Sequence, residues 1–205
     1  MWGELEPGPY AVGFRRLRLV DVTRPPFEDD PDARGRVLPV FVWYPARSGG
    51  RPTSFGRYVD ELADDWDSLG GVRREGGLRR LVAHAAELGG DTAMLRARLP
   101  DVLALPTYAT AGAPAAAGRH PVFLFPAYLA PATNSIVSEF LASRGYVVVS
   151  TPLVGTRERA PDISTRGLET QAADLRLAVA AADTLSFVDG RRLAAGGVGI
   201  NASAR

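Results

Sequence analysis

The sequence contains no cysteine and no lysine among its 205 residues. Without cysteine, disulfide bonds, thiolate catalysis and cysteine-ligated metal sites are excluded. Without lysine, Schiff-base chemistry and a P-loop phosphate site are excluded as well. For the preferred function given below we expect no cofactor and no metal.

A strong charge of either sign and a long apolar run are also absent. The formal net charge is +1, so nothing indicates a surface for nucleic acid or for an anionic membrane. No apolar run reaches the length of a membrane span, and residues 1–8 lack the apolar region of a signal peptide. With 46% hydrophobic residues, the chain is expected to be globular. The absence of a span and of a signal peptide predicts a soluble protein; the compartment is left unknown, with cytoplasmic as the default.

Two strands are predicted at the beginning of the chain. Residues 10–22 alternate apolar and charged side chains, as in a half-exposed strand. Residues 37–44 are rich in β-branched and aromatic side chains and predict a second strand. A turn rich in proline and acidic residues joins them, so we expect an antiparallel pair.

A helical insertion is predicted between these strands and the rest of the chain, at about residues 54–118. Apolar side chains recur there three and four positions apart, which is typical of helices. The last helical piece, residues 93–99, is expected to end before Pro100. Residues 106–117 are mostly alanine, glycine, proline and threonine, and they predict a loop.

Strands and helices alternate in the second half of the chain. Residues 121–125, 146–150 and 193–195 are apolar runs of the kind found in strands buried on both faces. Amphipathic helices are predicted between them, at residues 135–144 and 165–185. This alternation favours an α/β fold whose sheet is mostly parallel, with right-handed crossovers and antiparallel N-terminal strands.

The last predicted strand leads into a glycine turn, where residues 193–203 read L-A-A-G-G-V-G-I-N-A-S. Two kinds of site use such a corner. In the dinucleotide pattern G-x-G-x-x-[GA], matched by Gly197, Gly199 and Ala202, the glycines let a pyrophosphate approach a helix N-terminus. In the nucleophile elbow G-x-S-x-G, a serine stands at the third position, where this chain has Gly199.

Five segments carry a likeness to a known family: G-P-Y-A-V-G, L-P-V-F-V-W-Y-P-A, H-P-V-F-L-F, F-L-A-S-R-G-Y-V-V-V-S-T-P and V-D-G-R-R-L-A-A-G-G. With the order of elements, they resemble α/β-hydrolases of the platelet-activating-factor acetylhydrolase and dienelactone hydrolase type. The resemblance runs over about residues 8–203 and is weakest across the insertion. It implies an α/β-hydrolase sheet and the hydrolysis of a small-molecule carboxylic ester through a serine acyl-enzyme.

The resemblance places the nucleophile at Gly199, where there is no hydroxyl to acylate. It places an oxyanion-hole loop after the first parallel strand, where the sequence reads P-A-Y-L from Pro126 instead of the usual histidine and glycine. Such a loop acts through backbone N–H groups, so its side chains are free to differ. The N–H of Leu129, or of Tyr128 if the register is shifted by one, is expected to donate together with that of Ile200.

In this family the catalytic acid and histidine follow the nucleophile in the chain. Arg205 closes the sequence shortly after Gly199, and both His84 and His120 precede it. His84 is expected within a helix of the insertion and His120 at the start of a strand, so both are interpreted as structural. We expect that the C-terminal half of the domain is absent and that the strand at 193–195 is an open apolar edge capable of self-association.

Charged residues after the second parallel strand are weaker candidates for a site. Arg157 and Arg159 are the best-placed cations for a substrate anion, although an exposed pair is the simpler interpretation. Glu158, Asp162 and Glu169 are interpreted as solvated side chains or as partners of a helix N-terminus.

Three functions from different classes remain open. The preferred one is the N-terminal portion, or an inactive relative, of a serine carboxylic-ester hydrolase: residues 1–205 then form one incomplete domain without hydrolase activity. The second is a nucleotide-binding module that uses Gly197, Gly199 and Ala202. The third is a non-catalytic scaffold with a partner chain on its open sheet edge.

Overall fold

The computed structural model describes residues 3–47, 50–66, 78, 82, 86, 89–128 and 130–197. Its strands are β1 Ala11–Asp21, β2 Arg36–Ala46, β3 Ala109–Ala111, β4 His120–Leu124, β5 Val147–Ser150 and β6 Val188–Ala195. Its helices are α1 Phe55–Trp66, α2 Thr92–Ala104, α3 Ser135–Ser143 and α4 Thr165–Asp183, with a 3-10 turn at Pro131–Asn134. No helix in these ranges has the length and apolar character needed to cross a bilayer.

The six described strands form one mixed sheet in the order β3-β1-β2-β5-β4-β6. Strand β2 is antiparallel to both β1 and β5, whereas β5, β4 and β6 run parallel to one another. Helices α3 and α4 connect the parallel strands, as the alternating pattern predicts. The α/β fold class and the antiparallel N-terminal pair are therefore confirmed.

Two local predictions were wrong. Residues 106–117 are not entirely loop, since β3 forms there and pairs with the outer edge of β1. An alanine-threonine-alanine strand has little signal of its own, and it forms because β1 offers unpaired backbone groups. Helix α2 does not end before Pro100 but continues through it. Pro100 removes one backbone hydrogen bond from α2. At the start of the helix, the Asp91 carboxylate accepts two N–H groups of the first turn, at 2.9 and 3.0 Å, and thereby stabilises it.

Strand β6 is longer than predicted and lies at the edge of the described sheet. Residues 188–192, which precede the predicted run at 193–195, also belong to the strand, and the register shifts by three residues between Asp189 and Leu193. The last five residues of β6 are exposed, and Leu193 is 50% accessible. Within the described ranges the expected open edge is thus present, and self-association along it stays a prediction.

The hydrophobic core lies on both faces of β2, which is buried at all of its 11 residues. Alternate side chains point to opposite faces of a strand, so each face needs its own cover. On one face, four aromatic rings stand 4.7 to 5.8 Å apart: Phe14, Phe41, Trp43 and Tyr58. On the other face, aliphatic side chains of β2 pack with those of α4, namely Leu38, Val40, Val42, Leu175, Ala178 and Ala182.

A buried carboxylate joins the helical segment to α3. The Tyr58 hydroxyl of α1 donates to Glu139 Oε1 at 2.7 Å, and the backbone N–H of Tyr108 donates to Glu139 Oε2 at 2.9 Å. Trp43 Nε1 donates in turn to the Tyr58 oxygen at 3.1 Å. Burial and the neighbouring carboxylate raise the pKa of Tyr58 well above its ordinary range, so its hydroxyl remains protonated and remains a donor.

A buried ion pair fixes the loop between β1 and β2. Arg36 binds Asp174 of α4 in a bidentate manner, with Nε–Oδ1 and Nη2–Oδ2 distances of 3.0 and 2.6 Å. Arg24 contacts the same carboxylate at 2.7 Å. The guanidinium groups of Arg36 and Arg159 both contact the buried ring of Phe27, at 4.5 and 4.6 Å from its centroid. These contacts hold the loop against the first residue of β2.

Replacing Asp174 by alanine should lower the free energy of unfolding by about 3–5 kcal/mol, because the change leaves the buried Arg36 guanidinium uncompensated. Urea-induced unfolding measures the change. The control is Asp101→Ala, which breaks an ion pair with Arg98 whose side chains are more than 70% exposed, and which should cost less than about 0.5 kcal/mol. Equal effects of the two substitutions would contradict this view of the ion pair.

Candidate functional site

Three connecting segments begin side by side at the edge of the sheet that is formed by the carboxyl ends of its parallel strands. Strands β4, β5 and β6 are parallel, so their carboxyl ends meet at the same edge. In the register, Leu124 stands between Val149 and Ala195. The segments that begin at residues 125, 151 and 196 therefore share this edge, which is where ligands bind in open α/β sheets.

The segment after β4 continues to pair with the segment after β5. Phe125 N–H donates to Val149 O at 2.9 Å, and Ala127 N–H donates to Thr151 O at 3.0 Å. The carbonyl of Ala127 accepts in return from Leu153 N–H at 2.8 Å. Both backbone groups of Ala127 are thus engaged on the β5 side, and its N–H is not available to a ligand on the opposite side.

The orientation of Tyr128 N–H follows from this pairing. In a planar trans peptide the C=O and the following N–H point in opposite directions. Because the carbonyl of Ala127 points to Leu153, the N–H of Tyr128 points away from β5 and toward the side on which β6 pairs with β4. Tyr128 is half-buried. The other predicted donors, Leu129 and Ile200, lie outside the described residues.

Asn134 contributes a contact that the sequence did not predict. Its Nδ2 group donates to the carbonyl of Pro126 at 3.2 Å. An asparagine directly before a helix is normally interpreted as a cap of that helix. Asn134 occupies the cap position of α3, but its side chain makes no capping bond there. No local pattern indicates that this amide reaches back eight residues to the loop after β4.

At the end of β6, Gly196 lies too close to β4 for a larger residue. Its N–H donates to Leu124 O at 2.9 Å, and a Cβ atom at this position would lie 2.5 Å from the Phe123 ring. Gly197 is half-buried and is the last described residue. The proposed nucleophile position, Gly199, lies outside the described residues, as does Ala202. The dinucleotide interpretation of this turn therefore stays a prediction.

Of the two histidines, the structure describes only His120, and it does not lie at this edge. His120 is the first residue of β4, so about 13 Å of strand separates it from the carboxyl end. It is buried and packs edge-on against Tyr10, with ring centroids 5.5 Å apart. The interpretation of His120 as a strand-end residue agrees with this position. His84 lies outside the described residues.

The cations after β5 are paired with the acidic loop between β1 and β2. Arg157 Nε lies 2.6 Å from the Glu28 carboxylate, and Arg159 forms an ion pair with Asp29. Asp162 accepts the backbone N–H of Ser164 at the start of α4, and this bond lowers the pKa of its carboxyl. No group of three or more potential metal ligands occurs within the described ranges. The interpretation of the two cations as an exposed pair is right for Arg157 but wrong for Arg159, which is buried against Phe27. The charges near this end of the sheet therefore stabilise loops and a helix end.

Comparison with solved structures supports an ester-hydrolase relationship. The ferulic acid esterase from Streptomyces cinnamoneus matches 95% of this chain with a TM-score of 0.60 and 26% sequence identity. The fold is hydrolase-like. The chain spans 54% of that esterase. A hypothetical protein from Pseudomonas aeruginosa matches with a TM-score of 0.42 and 11% identity, over 95% of this chain and 38% of the other. No family model and no curated protein sequence matches.

Gly196→Ala should destabilise the protein by about 1–3 kcal/mol, because the new methyl group must displace the Phe123 ring. Urea-induced unfolding measures the cost in the unaltered chain and in a Phe123→Leu background. We expect the cost to be at least about 1 kcal/mol smaller in the second background, where the ring is gone. An equal cost in both backgrounds would show that the contact with Phe123 is not the reason for glycine at this position.

Proposed function

We propose that the chain is the N-terminal portion, or an inactive relative, of a serine carboxylic-ester hydrolase, and that it does not hydrolyse esters itself. The observation that carries this proposal is the sequence that follows β6. The fold is similar to that of an esterase, and an elbow after β6 would hold its serine at position 199. Glycine at that position supplies no nucleophile.

The proposed ancestral reaction is acyl transfer. A serine oxygen attacks the ester carbonyl, and backbone N–H groups stabilise the negative charge that develops on the carbonyl oxygen. Tyr128 is the better-supported donor of the loop after β4, because its N–H points toward β6 while that of Ala127 is engaged with Thr151. Leu129 and Ile200 remain proposed donors from the resemblance. Without the serine hydroxyl, this arrangement has no group to acylate.

The substrate class and the domain boundaries belong to the same proposal. The similar esterase acts, by its name, on esters of ferulic acid, so a hydroxycinnamoyl ester is the first substrate to test. Acetyl esters, to which the resemblance to platelet-activating-factor acetylhydrolases points, are the second. We place residues 1–205 in one incomplete hydrolase domain, with a helical insertion at about 54–118 that contains α1, α2 and β3.

The test is turnover of methyl ferulate and of a chromogenic acetyl ester by the purified chain. We expect rates equal to those of buffer alone, because position 199 carries no hydroxyl and both histidines precede it in the chain. The matched control is Gly199→Ser. It introduces a hydroxyl at this position but no histidine later in the chain, so we expect it to be inactive as well. Saturable turnover by the unaltered chain would contradict the proposal.

A further inference from the structure

The carbonyl of Pro126 faces the same side as the N–H of Tyr128. The N–H of Ala127 points to Thr151 on the β5 side, so the carbonyl in the same planar peptide points to the opposite side. One residue later, the N–H of Tyr128 points to that opposite side as well. In the proposed oxyanion hole, this N–H would donate to a negatively charged oxygen. A neighbouring carbonyl without a hydrogen-bond partner would repel that oxygen, because carbonyl oxygens carry partial negative charge.

Asn134 covers this carbonyl. Its Nδ2 group donates to Pro126 O at 3.2 Å, across the turn that leads from the loop into α3. The Pro126–Ala127 peptide is thus held at both ends, by Asn134 on its carbonyl and by Thr151 on its N–H. Rotation of this peptide plane would break both hydrogen bonds, and the two bonds thereby restrain the direction in which the following backbone begins.

Asn134 ends the 3-10 turn that runs directly into α3, and its side chain does not cap that helix. Asparagine before a helix normally uses its side-chain oxygen to accept an N–H of the first turn. Asn134 makes no such bond, and α3 begins without a side-chain cap. The amide is therefore used as a donor toward the loop rather than as an acceptor toward the helix.

We propose that Asn134 is a positioning residue for the oxyanion loop: its side-chain amide orients the Pro126–Ala127 peptide and covers the carbonyl that would otherwise face the oxyanion. The role of this loop in binding an oxyanion rests on the proposed function. The contact itself is a property of this chain, and it is measurable whether or not the chain turns over an ester.

The test compares Asn134→Asp with the unaltered chain by amide hydrogen exchange. Aspartate has the shape of asparagine but, when ionised, only accepts hydrogen bonds. At pH 7 we expect the protection factor of the Ala127 amide to fall about five- to tenfold, as for the loss of one hydrogen bond. As the pH is lowered to about 4, the introduced carboxyl becomes protonated and can donate, so protection should recover relative to the unaltered chain.

The matched control is Thr133→Val. Thr133 Oγ1 donates to the carbonyl of Ala130 at 2.7 Å, so this variant removes a similar bond from the same turn without touching Pro126. Protection of Ala127 should be unchanged in this variant. Unchanged protection in Asn134→Asp, or an equal loss in the control, would overturn the proposal, since a general role in packing predicts no dependence on the donor.

The unaltered chain gives a second measurement that needs no variant. A side-chain N–H of Asn134 that donates to Pro126 should exchange more slowly than a solvated asparagine amide and should show a coupling across the hydrogen bond to the Pro126 carbonyl carbon. Exchange at the rate of a free amide, without coupling, would overturn the proposal even if Asn134→Asp failed to fold. Ester turnover by the chain would instead contradict the proposed function and leave this result unaffected.

Discussion

The rest of the structure depends on the complete burial of β2. All of its 11 residues are buried, so apolar side chains of this strand need cover on both faces of the sheet. The aromatic cluster with Tyr58 of α1 supplies the cover on one face, and the aliphatic face of α4 supplies it on the other. Strand β2 also pairs with β1 and β5, and it thereby joins the antiparallel strands to the parallel ones.

Three sets of described contacts fix this sheet. The contacts that fix it are the core around β2, the Arg36–Asp174 ion pair and the bonds to Glu139. None of them involves Gly196 or Gly197, the two described residues after β6. The proposed absence of a nucleophile at Gly199 is therefore compatible with these contacts.

Much of the fold could be predicted because its signals are local. The apolar runs at β2, β4 and β5 and the periodicity of α3 and α4 are present in short stretches of sequence. Strand β3 could not be predicted, because it forms only where β1 leaves backbone groups to pair with. The Arg36–Asp174 pair joins residues 138 positions apart, and no local pattern connects them.

The end of the sheet at which the site is proposed could be predicted from the sequence, whereas the contacts there could not. The parallel strands and the glycine turn located the carboxyl edge, since the topology determines which ends meet there. The donor direction of Tyr128 depends on the pairing of Ala127 with the segment after β5, which the sequence does not reveal. Asn134 was missed because an asparagine before a helix predicts a cap, and its contact with Pro126 requires the three-dimensional path of the turn.

The central claim is that a hydrolase-like sheet edge is present without its nucleophile. The most direct measurement is the intact mass of the purified chain after incubation with an excess of a fluorophosphonate, which reacts with activated serine hydroxyls. The account predicts a mass identical to that of the untreated chain. An adduct of one phosphonyl group on a serine, formed by the folded chain and not by the urea-unfolded chain, would contradict it.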